Sequence, residues 1–278
     1  MAKQSLKAAD WAHIDKDPDP RVAATRVRNV ALLAKNQFPD IYNEGKSWYE
    51  NVNAAAAKGA AGMSGRTTKH AAGVISAVSP NMDWDRNNID AFDELSSLSG
   101  KQWSAIRKSA RTEGGRTDEA KSALSGLSVS SATDAGLIKA HRIWHGGEDF
   151  EDVLSRQTSP KTNSFAHNIW KPHESGHVTA DGRHSDIIVD SMRPWELGSR
   201  GISSAALKTG KQTRYEDYEH ATRIAAKSLN LLPHEAQAIA WEMGKRVERN
   251  FNPDRKQGDA RRGQSYSGRM DEFSQGRG

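Results

Sequence analysis

The sequence predicts an all-α fold, and two observations carry that reading. Val, Ile and Thr are scattered and period-two alternation never lasts more than a few residues, so no segment reads as a sustained strand. Apolar residues at helical spacing recur instead, most clearly in residues 21–38, 67–78, 215–229 and 234–249. With 36% hydrophobic residues among 278, the chain can bury one large helical core or two small ones.

Taken in order, Asp17-Pro18-Asp19-Pro20 ends any earlier helix and starts the next. Residues 21–38 place Val22, Ala23, Val27, Val30, Ala31, Ala34 and Phe38 on one stripe, with Arg21, Arg26, Arg28 and Lys35 largely off it. Ser47 to Met63, with Trp48, Tyr49, Val52 and an alanine run, reads as a second helix closing against the first. Residues 67–78 are the most apolar stretch and predict a central buried helix, stopped by Ser79-Pro80-Asn81. Asp83 then caps a further helix through Leu95, and residues 99–133, rich in Ser, Gly, Thr and Lys, read as loops with short helices at most. Helices follow at 134–145, 150–155 and, after a hairpin, 161–170. Residues 215–229 are amphipathic through Tyr215, Tyr218, Ile224, Ala225 and Leu229. In 234–249 a preceding Pro233, an early acid and the late Lys245, Arg246 and Arg249 suit the helix dipole. The expected organisation is N-terminal helices over 1–65 packing on a core of 66–252, then a disordered, slightly basic tail at 253–278.

Composition narrows the chemistry. The chain has no cysteine, which excludes disulfides, Cys-ligated zinc and iron–sulfur clusters and fits a reducing cytosol. Met1 to Lys16 carries no apolar run and does not read as a secretory signal; no stretch approaches the roughly 18 apolar residues that span a membrane. A net charge of +5, a pI near 9.3 and a mean hydropathy of −0.78 describe a polar, mildly basic protein. Such a balance permits contact with nucleic acid without demanding it. The expected setting is therefore cytoplasmic, with no membrane partner.

Three blocks concentrate the motifs. Residues 74–88 (VISAVSPNMDWDRNN) form an apolar helix end, a polar turn and an Asp-capped start. Residues 135–169 contain GLIKAHRI, FEDVL and QTSPKTNSFAHNI, and residues 177–190 read HVTADGRHSDIIVD. Gly136-Leu137-Ile138-Lys139-Ala140 stands about twenty residues before Pro160-Lys161-Thr162, and Val178-Thr179-Ala180-Asp181 about twenty after it. In order, spacing and residue type, residues 70–195 resemble the catalytic core of the helix-hairpin-helix DNA glycosylases of the endonuclease III-like branch. The combination also resembles uncharacterised proteins of actinobacterial phages.

The resemblance implies a helix-hairpin-helix glycosylase-like domain and a set of roles. Lys161 takes the place of the amine that attacks C1′, which must be partly neutral to do so. Asp181 takes the place of the carboxylate that stabilises positive charge on the sugar or activates water. Thr158, Ser159, Thr162 and Asn163 stand where the family's hairpin grips a DNA phosphate, and Arg183 and His184 are further candidates for DNA contact. Asn81, Met82 and Trp84 occupy the turn that supplies a wedge once a base is flipped out. The sequence departs from the pattern where Gln157-Thr158-Ser159-Pro160 replaces the hairpin glycines, which approach phosphate closely and adopt positive φ. Gly182 replaces a Thr.

Read without the resemblance, Lys161 is a solvated lysine at a helix start and Asp181 an N-cap or turn residue. His141/His145 and His173/His177 are spaced for metal ligation, yet no zincin-type Glu stands between either pair, so no metal or other cofactor is expected. Residues 59–67 (GAAGMSGRT) lack the lysine and preceding strand of a phosphate loop. The implied activity is a DNA glycosylase, with or without lyase action, on a modified or damaged base of double-stranded DNA. A repurposed base-modification transferase, a catalytically silent DNA-binding protein and a phage structural protein are the alternatives.

Overall fold

The computed structural model describes residues 19–61, 65–80, 94–95, 97–111, 116–190, 208–209, 212–251, 270 and 274–275. The fold is all-α: the described residues form eleven α-helices, one 3₁₀ turn and one two-stranded ribbon of two residues per strand. They divide into two compact units that do not follow chain order. One comprises Met1–Lys46 with Ala180–Gly278, the other Ser47–Thr179. The expected boundaries at residues 65 and 252 are not those at which the chain divides.

In the first unit, α1 (Pro20–Gln37) opens with Pro20 at its first position and Asp19 as N-cap, whose carboxylate accepts from Arg21 N at 2.7 Å. Val27, Ala31 and Ala34 bury along it. The buried stripe includes Ala24 but not Val22, which is 46% exposed. Phe38 leaves helical geometry (φ −134°, ψ 64°) because Pro39 disfavours the α region in the residue before it. α2 (Pro39–Ala61) therefore restarts at once, eight residues ahead of the expected Ser47, and the boundary between the units falls within it. α9 (Gly182–Val189) was not foreseen from the sequence; it is short, and Ile187 and Ile188 are its only large buried apolar residues. The ribbon β1 (Lys208–Thr209) and β2 (Gln212–Thr213) is antiparallel, pairing Lys208 with Thr213.

α10 (Arg214–Leu229) and α11 (Pro233–Phe251) pack on α1 and on each other, and α9 packs on α1 and α11. Ile224, expected on the buried stripe of α10, is 39% exposed. Backbones approach closely at Gly45, where an added Cβ would lie 2.5 Å from Ile239 Cα. Most of the expected tail lies outside the described residues, but Met270 within it is buried in this unit's core.

The second unit is built on α3 (Thr68–Val78), in which every residue from Ala71 to Val78 is buried, as its apolar sequence predicts. Around it pack α6 (Asp134–Trp144), α7 (Phe150–Val153) and α8 (Pro160–Trp170). At the α3/α6 crossing a Cβ on Gly136 would lie 2.5 Å from the Ala77 carbonyl oxygen, so only glycine fits there. Where loops were expected, α4 (Gly100–Ser109) and α5 (Asp118–Ala123) form. The start of α4 is a reciprocal cap, in which Ser99 N donates to Gln102 Oε1 at 2.9 Å and Gln102 N to Ser99 Oγ at 3.3 Å. Trp103 and Ile106 then bury one face of an otherwise polar helix. Most of the expected Asp83–Leu95 helix falls outside the described residues.

Candidate functional site

The hairpin of the sequence motif is α7, a turn over residues 154–159, and α8. Asp149 caps α7 by accepting from Glu151 N at 2.9 Å. The turn closes on Ser155. Its carbonyl accepts from Thr158 N at 3.1 Å and Ser159 N at 2.8 Å, and its hydroxyl accepts from Gln157 N at 3.3 Å. Three successive amides are thus satisfied inside the turn. No residue of the turn has positive φ, in keeping with the absence of glycine.

The side chains of this region follow the same inward pattern. Thr158, exposed, donates its hydroxyl to Ser155 O at 3.4 Å, and Thr162 donates to Ser159 O at 3.1 Å. Asn163 is 4% exposed, so its amide is presented to the core rather than to a strand of DNA. Ser159 is the N-cap residue of α8, yet its hydroxyl makes no cap bond. It accepts instead from Lys139 Nζ, 3.0 Å away on α6. Desolvation by burial, with the Arg142 guanidinium adding to it, lowers the Lys139 amine below the usual lysine range. Lys161 is half-buried in the first turn of α8, and its amine has no hydrogen bond or ion pair among the described residues.

Asp181 lies in the other unit. It is the N-cap of α9 and half-buried. Its Oδ1 accepts from His184 N at 2.9 Å and its Oδ2 from Trp241 Nε1 at 2.8 Å. A carboxylate offers about four acceptor positions, so one on each oxygen remains available. The Trp241 indole carries two cations against its ring, Arg183 at 5.0 Å and Lys245 at 4.9 Å. Lys245 pairs at 2.8 Å with Glu242, whose carboxyl burial pushes up against the pull of that lysine. Lys161 and Asp181, one motif in sequence, therefore belong to different units.

His184 is fully buried. Its Nε2 stands 2.7 Å from Thr222 Oγ1, and that hydroxyl donates to Tyr218 O at 2.8 Å, so Nε2 is the protonated nitrogen and donates. Nδ1 is buried without a hydrogen-bond partner among the described residues. Burial outweighs the attraction of Asp181 and lowers the imidazole to about 4, so at neutral pH it is an uncharged core residue without access to DNA. Asn81, Met82 and Trp84, the expected wedge, lie outside the described residues.

The remaining titratable groups are engaged in the second unit's packing. Lys69 is held between Asp149 and Glu151 and lies over the Phe150 and Trp170 rings at 5.3 and 4.6 Å. Burial lowers its amine, and the bonds to the two carboxylates outweigh that and raise it. His167 stacks on His177 with ring centroids 4.3 Å apart. His141 packs edge-on to Trp103 at 4.4 Å, beside His145, and His173 approaches Glu50 at 3.6 Å. No group of three metal-ligating residues assembles among the described residues. Sequence reading missed Trp241 and Lys139 as partners of the motif. Lys139 stood inside the quoted GLIKA block, but only the fold reveals which residue its amine meets.

The profile of a family described as "Family of unknown function (DUF7178)" matches residues 14–248, most of the chain. No curated protein and no solved structure matches it. Among the described residues no helix is long and apolar enough to cross a membrane.

Proposed function

We propose that this chain, which belongs to the DUF7178 family of unknown function, is a base-directed DNA glycosylase with Asp181 as its working carboxylate. The observation that carries the reading is the way Asp181 is held. Two donors from different elements, the His184 amide and the Trp241 indole, fix both oxygens while the side chain stays half-exposed. Cleaving an N-glycosidic bond builds positive charge on the sugar, and a carboxylate already oriented stabilises it without reorganising. The order and spacing of the three sequence blocks supply the substrate class. Lys161, a half-buried amine with no acidic partner among the described residues, is available for a lyase step.

The turn before α8 favours a second reading. With the amides of Gln157, Thr158 and Ser159 all bonded to Ser155, a phosphate grip of the family type has no free donors there. A DNA-binding protein that no longer cleaves, holding DNA by side-chain cations, accommodates that turn. Base release from duplex DNA separates the two. The glycosylase releases a modified base and loses this in Asp181→Asn, a substitution that keeps an N-cap residue. The silent protein binds the same duplex and releases nothing.

A further inference from the structure

From the pairing of Lys139 with Ser159, we propose that Lys139 is the amine that forms an imine with an aldehyde, the ring-opened sugar of an abasic site. Three features of its surroundings carry the proposal. The amine is half-buried and its one hydrogen-bond partner among the described residues is a neutral hydroxyl, Ser159 Oγ at 3.0 Å. No carboxylate pairs with it among the described residues, whereas Lys69, Lys121, Lys171 and Lys245 each have one. The charged group acting on it is a cation, Arg142, which is itself paired with Glu148. Burial without an acid, beside a cation, disfavours the ammonium form and leaves a fraction of nucleophilic amine at neutral pH.

Ser159 is free for this part because the amides that its hydroxyl would cap do not use it. The neutral Nζ adds its lone pair to the aldehyde carbon, and the carbonyl pair moves to oxygen, which takes up the proton the nitrogen gives. The carbinolamine hydroxyl then leaves as water, taking a proton that Ser159 relays from solvent, while the nitrogen lone pair closes the C=N bond. The product is a protonated imine, which borohydride reduces to a secondary amine. The amine site stands on the geometry of the second unit; only the identity of its aldehyde rests on the base-directed reading above.

The test has two arms on the full-length protein. In the first, glycolaldehyde and cyanoborohydride at pH 7 label the lysines, and peptide mass spectrometry locates them. The label at Lys139 is expected to exceed that at any other lysine and to vanish in Lys139→Arg, which keeps a donor for Ser159. Uniform labelling, or preference for Lys161, overturns the proposal. In the second arm, borohydride is added to protein on duplex DNA carrying an abasic site. The expected adduct survives Lys161→Gln and is lost in Lys139→Arg. The reverse pattern overturns the assignment. Selective labelling in the first arm with no DNA adduct in any variant upholds the reactive amine and refutes DNA as its aldehyde source.

Discussion

Acidification should weaken the first unit through His184, and the size of the effect follows from its burial. The imidazole sits at about 4 in the folded chain against 6.5 when exposed. Above pH 6.5 both states are neutral and the group costs nothing. As pH falls below 6.5 the unfolded chain takes up a proton that the folded chain refuses, so stability drops until the folded group titrates near 4. At about 1.4 kcal/mol per pKa unit the full penalty is about 3 kcal/mol, of which about 2 kcal/mol is already lost at pH 5. The perturbation is His184→Gln, whose amide can still donate to Thr222 but does not titrate. Urea unfolding followed by circular dichroism at pH 7.5 and 5 measures the loss for each protein. His70, His141 and His167, also lowered by burial, contribute with the same sign in both and cancel in the comparison. The wild type should lose about 2 kcal/mol more than the variant over this interval. Equal losses would refute the claim that His184 is buried as a neutral ring.

Two substitutions test the packing of the second unit. Gly136→Ala drives a Cβ to 2.5 Å from the Ala77 carbonyl oxygen, a backbone atom that cannot swing away. It should cost about 1–3 kcal/mol in urea unfolding, and no cost would mean the α3/α6 approach is looser than described. Ser99→Ala removes one side of the α4 cap and should cost about 1 kcal/mol, measured as a lower urea midpoint; an unchanged midpoint would remove the cap from the account.

The elements that the sequence foretold are those in which local signals and packing agree. α1 has a proline start, a capping aspartate and an apolar stripe; α3 is apolar at nearly every position; α8 begins at Pro160. α4 escaped because only Trp103, Ile106 and Ser109 bury in it, and the Ser, Lys and Gln between them read as loop. α9 escaped because its eight residues give too little periodicity to separate from a turn. At the candidate site, the capping role of Asp181 was legible as one of two readings, since an aspartate before a helix accepts its first amides. Its bond to Trp241, sixty residues on, depends on how α9 meets α11 and has no local signature. The burial of Asn163 and His184 is likewise set by neighbours distant in sequence. A polar residue next to a motif looks the same whether it faces solvent or, as His184 does, a threonine on α10.

The most direct test of the account is base release by purified protein from duplexes carrying deaminated, oxidised, alkylated or phage-type hypermodified bases. Chromatography of the freed base reads the result. The account predicts release of at least one modified base by the wild type, and its loss in Asp181→Asn with DNA binding retained. Release that is undiminished in Asp181→Asn, or DNA binding with no release from any duplex, would contradict it.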